Sequence, residues 1–156
     1  MDVFNLLHVD GCKHGTGTYK FSSGNIYEGE WSRDKRSGNG TMQYKNGDKY
    51  TGSWEAGKRH GRGVVTYADN SVYDGEFKKD KKEGSGRLTS SNGDVYVGSF
   101  QNDLKSGEGK MSFANKDVFE GLYHEGNKWS GTYTLADGTV VRYEDGKMKG
   151  KDRRRR

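Results

Sequence analysis

A five-residue pattern, aromatic-x-Gly-x-aromatic, returns every 23 residues along this chain. It reads Tyr27-Gly29-Trp31, Tyr50-Gly52-Trp54, Tyr73-Gly75-Phe77, Tyr96-Gly98-Phe100 and Phe119-Gly121-Tyr123. A second pattern keeps step with it: Gly15-Gly17-Tyr19-Phe21, Gly38-Gly40-Met42-Tyr44, Gly61-Gly63-Val65-Tyr67, Gly84-Gly86-Leu88 and Gly107-Gly109-Met111-Phe113. One period before Tyr27 stands Phe4, which marks a first, imperfect copy with Leu6 in the glycine place. Past Tyr123 a one-residue deletion shifts the register. Gly131, Tyr133 and Leu135 then match again, and Tyr143-Glu144-Asp145-Gly146 closes a shortened last copy. Self-similarity at such a period means one supersecondary unit stacked on its neighbours.

Each copy alternates with period two, the signature of a strand. Turn residues separate the two patterns: Asp34, Gly57, Asp80, Asp103 and Gly126 on one side, and Gly24, Asn46-Gly47, Asn70, Asn92-Gly93 and Asp137-Gly138 on the other. Asn-Gly and Asp-Gly supply the positive φ angles of tight hairpins, so one copy is one β-hairpin. Residues i, i+2 and i+4 share a face. On that rule every aromatic residue except Trp129 falls on one face, while Glu28, Glu30, Thr51, Ser53, Asp74 and Glu76 fall on the other. A ring can lie flat over a neighbouring strand only where that strand has no Cβ, which gives the glycine columns their purpose. The rings then form the core of a sheet that has no second layer, each unit burying its face against the next.

Composition alone points elsewhere. The hydrophobic fraction is 29%, the charged fraction 31% and the mean hydropathy −1.14, values that favour disorder. The absence of proline and the fixed placement of the glycines argue against it. The net charge of +5 belongs to residues 147–156, KMKGKDRRRR; the remainder holds 20 basic and 21 acidic residues. No apolar run is long enough to cross a bilayer as a helix, and the first residues lack the pattern of a secretory signal. With Cys12 as its single cysteine the chain is expected in a reducing compartment, the cytoplasm.

The unit Tyr-x-Gly-x-Trp-x-x-Gly-Lys-x-x-Gly-x-Gly, followed by Asn-Gly or Asp-Gly at the next turn, resembles the MORN repeat over residues 4 to about 150. Leu6, Ser90 and Lys116 depart from the pattern. The resemblance implies an all-β fold, an elongated single-layer twisted antiparallel sheet of stacked hairpins with an aromatic concave side. We expect a repeat domain over 1–146, with copies starting near 4, 27, 50, 73, 96 and 119, and a disordered basic tail over 147–156. The resemblance further implies a non-enzymatic scaffold or adaptor for a protein partner, cytoskeletal or axonemal, as in proteins of cilia and parasite cytoskeletons.

A one-layer sheet leaves apolar surface uncovered, and such surface marks binding sites. An extended or helical segment of a partner is therefore expected on the ring-bearing face, with Trp31, Tyr50, Trp54, Tyr73, Phe77, Tyr96 and Phe100 as its anchors. Catalysis is not expected. His14 and His60 stand two copies apart, His8 and His124 are remote from any cysteine pair, and no nucleophile elbow or phosphate loop occurs. Neither a metal nor a cofactor is expected. The tail, through Lys147, Lys149, Lys151, Arg153, Arg154, Arg155 and Arg156, is read either as a solubilising terminus or as an anchor for anionic lipid, acidic tubulin tails or an import receptor. A peripheral membrane protein held by that tail is the alternative to the scaffold. The body is not expected to bind nucleic acid, since it is neutral and its rings are engaged in packing. Val3-Phe4-Asn5-Leu6-Leu7 is an apolar edge, expected either to be covered by a partner or to pair with a second copy as a homodimer.

Overall fold

The computed structural model describes residues 3–4 and 7–152 and divides into two compact units, Met1–Lys81 and Lys82–Arg156. Every regular element among the described residues is a β-strand. The first unit holds β1 (Val3–Phe4), β2 (Leu7–Val9), β3 (Cys12–Lys20), β4 (Ile26–Ser32), β5 (Lys35–Gln43), β6 (Lys49–Glu55), β7 (Lys58–Thr66) and β8 (Val72–Lys78). The second holds β9 (Lys81–Thr89), β10 (Val95–Gln101), β11 (Leu104–Ser112), β12 (Val118–His124), β13 (Asn127–Thr134), β14 (Val140–Glu144) and β15 (Lys147–Asp152). Within each unit successive strands from β3 onward pair antiparallel with their sequence neighbours, forming one sheet of stacked hairpins.

The turns alternate between two types. Arg33 and Asp34, Ala56 and Gly57, Lys79 and Asp80, Asn102 and Asp103, and Glu125 and Gly126 all have positive φ at both positions. That is the two-residue type I′ turn, whose twist matches the flanking strands. The other connections are three-residue loops, closed for example by Gly47 N–H to Tyr44 O at 3.0 Å and Tyr44 N–H to Asp48 O at 2.8 Å. Here a residue with positive φ is required, and Gly47, Asn70 and Lys116 all provide it. These loops are tied to one another along the sheet. Asp48 Oδ1 accepts from Ala68 N–H at 2.9 Å, Asp94 Oδ1 from Ala114 N–H at 2.9 Å and Asp117 Oδ1 from Ala136 N–H at 2.8 Å.

The glycine columns meet across the strands: Gly29 pairs with Gly40, Gly52 with Gly63, and Gly98 with Gly109. A Cβ added at Gly63 would enter the Tyr50 ring, and one at Gly109 the Tyr96 ring. A register shift follows the glycine in β4–β5, β6–β7 and β10–β11, where a bulge re-aims the strand.

Two ends depart from the sequence expectation. Phe4 pairs with Thr18 and Val3 with Tyr19, one residue out of step with the interior copies, in which the first aromatic faces the residue 15 places on, as Tyr27 faces Met42. Asn5 and Leu6 lie outside the described residues, so the predicted apolar edge is described only at Val3, Phe4 and Leu7. At the other end Lys147–Asp152 is a strand, β15, rather than a disordered tail. Asp145 and Gly146, with φ of 52° and 70°, turn the chain back so that Glu144 faces Lys147 and Tyr143 faces Met148.

Candidate functional site

The ring-bearing face is built from two interlocking columns. Tyr27 meets Trp31 of its own strand edge-on at 5.1 Å and Trp54 of the next copy at 5.3 Å. Tyr50 repeats this with Trp54 at 5.1 Å and Phe77 at 5.3 Å. In the second unit Tyr96 meets Phe100 at 5.2 Å and Tyr123 at 5.0 Å. These near-perpendicular pairs set the positive edge of one ring against the negative face of the next. The tyrosine hydroxyls are satisfied locally. Tyr27 donates to Glu30 O at 3.0 Å, Tyr50 to Ser53 O at 2.7 Å, Tyr73 to Glu76 O at 2.9 Å and Tyr96 to Ser99 O at 2.9 Å. Trp31 Nε1 donates to Gly17 O at 3.4 Å and Trp54 Nε1 to Gly40 O at 3.1 Å. Burial raises the phenol pKa of Tyr50 and of Tyr96 to about 12.

This packing relocates the seven anchors expected from sequence. Tyr50, Tyr73 and Tyr96 are at most 1% exposed, and Trp31, Trp54, Phe77 and Phe100 at most 5%. They are core. The one-layer sheet covers these seven rings with its own side chains and backbone. The Tyr27, Tyr50 and Tyr96 rings lie against glycine backbone, neighbouring rings pack edge-on against them, and in several copies a cation tops a ring.

That cation is the element the sequence reading passed over. Lys13, Arg36, Arg59, Lys82, Lys105 and Lys128 stand 23 residues apart, in the same step as the rings. The Arg36 guanidinium lies 4.4 Å over Trp54 and that of Arg59 4.9 Å over Phe77. Lys13 Nζ is 4.8 Å from the centre of Tyr19, and Lys105 Nζ 5.0 Å from that of Tyr96. Such contacts cover apolar faces while keeping a charge at the surface. Arg36 also donates to Gly57 O, and its pKa is lowered chiefly by burial.

In the first unit the half-buried layer above the core consists of Phe21, Arg36, Tyr44, Arg59 and Tyr67. Arg36 lies 5.9 Å from the Phe21 ring, and the phenol of Tyr44 is pushed up by burial against the opposing pull of Arg59 and Arg36. This alternation of rings and guanidinium groups has the composition of binding surfaces, in which Tyr and Arg are enriched. In the second unit Phe113, Lys128 and Tyr133 form a comparable layer, with Lys128 Nζ 4.7 Å from Phe113 and 4.6 Å from Tyr133.

Among the basic residues of the expected tail, Lys147 and Lys149 are exposed on β15. Lys151 belongs to the same strand, and Arg153, Arg154, Arg155 and Arg156 lie outside the described residues. Among the described residues no group of three or more His, Cys, Asp or Glu side chains could hold a metal ion, and no helix is long and apolar enough to cross a membrane.

Comparison with known proteins agrees with the repeat architecture. The MORN repeat matches five consecutive segments, residues 9–26, 27–49, 50–72, 73–95 and 96–118. No curated protein matches the sequence. Among solved structures, the TCP domain of Drosophila melanogaster SAS-4 (dCPAP), in complex with a proline-rich motif of Ana2 (dSTIL), is similar with a TM-score of 0.53 and 20% identity, over 88% of this chain and 82% of that one. The TCP10c domain of Drosophila melanogaster Sas-4 gives a TM-score of 0.46 and 19% identity, over 86% and 90%. The wild-type TCP10 domain of Danio rerio CPAP gives 0.38 and 14%, over 94% and 92%. At 20% identity the likeness to the first of these speaks to the fold alone. The 23-residue period, the ring-on-glycine hairpins and the five matched segments together show that this chain belongs to the MORN-repeat family.

Proposed function

We propose that this chain is a non-catalytic scaffold that holds a segment of a protein partner on its ring-bearing face, in a cytoskeletal setting. The observation that carries the reading is the half-buried layer of Phe21, Arg36, Tyr44, Arg59 and Tyr67 over a fully packed core. The core needs only its own rings and glycines. The layer above it presents half-buried rings and guanidinium groups, the latter held in place by cation–π contacts to Trp54 and Phe77, so these side chains have little entropy left to lose on binding. The partner anchors are thus Tyr44, Tyr67, Arg36 and Arg59 rather than the buried columns beneath them. The neighbouring SAS-4 TCP domain, which shares the fold, was solved with a proline-rich motif bound, and an extended segment of that kind suits a sheet face. The cytoskeletal setting rests on the resemblance of the repeats to scaffolds of cilia and cytoskeletons.

Photo-crosslinking tests the assignment. A benzophenone side chain is placed at Tyr44 or Tyr67, and in control chains at Thr51 or Val64 on the opposite face, in cells that make the protein. Adducts with the same partner at Tyr44 and Tyr67, and none at the control positions, are expected. Adducts equally frequent on both faces, or only at Thr51 and Val64, would overturn it.

A further inference from the structure

In three copies a turn carboxylate accepts from the backbone of the periodic basic residue, and in two of them from its cationic side chain as well. Asp34 Oδ1 accepts from Lys13 N–H at 2.9 Å and from Lys13 Nζ at 3.3 Å. Asp80 Oδ1 accepts from Arg59 N–H at 2.9 Å and from Arg59 Nε at 3.3 Å. Asp103 Oδ1 accepts from Lys82 N–H at 2.9 Å. Each acid stands 21 residues after its cation, at the second position of the type I′ turn, with φ of 63°, 74° and 71°. Twenty-one residues after Lys105 the same turn position, with φ of 82°, is held by Gly126, and the carboxylate is missing.

A cavity opens at that place. It has a volume of about 610 Å³ and is lined by Lys105, Gly126, Lys128, Trp129, Phe113 and Tyr123 among others. Neither Lys105 nor Lys128 has an ion-pair or hydrogen-bond partner for its ammonium among the described residues; both rest on ring faces. Lys105 is pushed below the usual lysine pKa by burial and then by Lys128, against the opposing pull of Asp94, and Lys128 by burial against that of Asp117, so two like charges share this site. A third observation is independent of the lysines. Tyr123, 5% exposed, holds the buried side-chain polar atom that lacks a hydrogen-bond partner among the described residues, its hydroxyl. Trp129, 42% exposed, stands at the rim with His124 at 5.4 Å, the one aromatic outside the repeat columns.

We propose that this cavity is an anion-binding site whose ligand is the carboxylate of an aspartate or glutamate side chain from a partner segment. That carboxylate takes the place that Asp34 and Asp80 fill in their own copies, between Lys105 and Lys128, with Trp129 and Phe113 against its apolar stem. A carboxylate is favoured over phosphate because it is the group the repeat itself uses at this position. That its source is a protein rests on the scaffold reading above; the anion site does not.

The test is an NMR titration of the full chain with N-acetylglutamate methylamide, against sodium chloride at matched ionic strength, with inorganic phosphate as a second arm. Saturable shifts at the amides of Lys105, Gly126 and Lys128 and at the Trp129 indole N–H are expected. Gly126→Asp supplies the missing carboxylate in cis; its Cβ would approach only Leu104 Cδ2, at 3.7 Å, and aspartate holds the same turn position in three other copies, so the fold is kept. Gly126→Asp, and independently Lys105→Met, should weaken the titration at least about tenfold, the effect of one charge-assisted contact. Shifts no larger than those with chloride, or unchanged affinity in Gly126→Asp, would overturn the site. Saturation by phosphate but not by the glutamate derivative would overturn the carboxylate assignment. Saturation by the glutamate derivative alongside failed crosslinks at Tyr44 and Tyr67 would uphold the carboxylate site and remove the scaffold reading instead.

Discussion

The middle of the first unit and the end of the second are built on one plan and differ in how their polar groups are settled. Around Tyr50 every such group has a partner: the hydroxyl donates to Ser53 O, Trp54 Nε1 to Gly40 O, and Arg59 to Asp80. Around Phe119 the plan loosens. Phe119 stands in the tyrosine column without a hydroxyl, Tyr123 stands in the tryptophan column with a hydroxyl that has no partner among the described residues, and Gly126 holds the turn position that Asp34 and Asp80 hold in other copies. Ring packing survives in both regions, with Phe119 and Tyr123 still edge-on at 5.4 Å. The apolar lattice is what the repeat enforces. The polar edge of each copy is free to diverge, and a binding site arises where it does.

Damage to the ring lattice itself should affect both regions alike. Gly63→Ala and Gly109→Ala each drive a methyl into a buried ring, Tyr50 and Tyr96 respectively, and should each cost about 3 kcal/mol or more. Urea denaturation of the two variants checks this, and a tolerated substitution in either unit would show that its rings do not lie on the glycines.

Asp117 sharpens the comparison next. Burial alone would raise its pKa, but the Ala136 N–H, the Tyr133 hydroxyl and the Asn115 amide together hold it below the usual carboxylate value. Asp117→Asn should therefore lower the melting temperature at neutral pH. The gap between variant and native protein should close as the pH falls below the ordinary carboxylate range and through the lowered value of Asp117, because the carboxylate's contribution is present only while it is ionised. Asp48→Asn, at the matching but more open position in the first unit, should show a smaller gap. Thermal melts between neutral pH and pH 2 report both.

The smallest effects separate satisfied from unsatisfied hydroxyls. Tyr50→Phe removes a donor and leaves Ser53 O without it, at a cost of about 1 kcal/mol. Tyr123→Phe removes a hydroxyl that has no partner, and should change stability by less than about 0.5 kcal/mol or increase it. Equal losses in the two variants, measured by urea denaturation, would mean that Tyr123 is partnered in solution.

Most of the fold was legible because the period, the turn residues and the parity of the rings all pointed to the same hairpin. The turn positions at Asp34, Asp80 and Asp103 followed from those signals, but the tight two-residue turns read at Asn46-Gly47 and Asn92-Gly93 lie at the aspartates instead, and the Asn-Gly pairs close three-residue loops. The ends were less legible. Phe4 has no glycine beside it to fix its register, so its pairing slips by one residue. Lys147–Asp152 carries no ring, so only the turn at Asp145 and Gly146 announces the strand beyond it. The candidate site was legible only in part. Parity located the ring-bearing face, but residue type alone does not distinguish a ring sealed against glycine, such as Trp54, from one left half-buried, such as Tyr44. The cations at Lys13, Arg36, Arg59, Lys105 and Lys128 were written in the sequence at the same period as the rings. They were passed over because charge was counted for the chain as a whole, where the basic C-terminus dominates the sum.

The loop-to-loop bonds, Asp48 to Ala68, Asp94 to Ala114 and Asp117 to Ala136, bear on how such a chain can change over time. Each fastens one connection to the following one. The first two span 20 residues and the third 19, because the one-residue deletion after Tyr123 falls inside its span. The fastening re-forms across a lost residue, as a brick course closes over one short brick, while the interior copies keep the full 23-residue step. Genes for chains of this kind should therefore lengthen by steps of 69 nucleotides, with an odd residue absorbed inside a single copy.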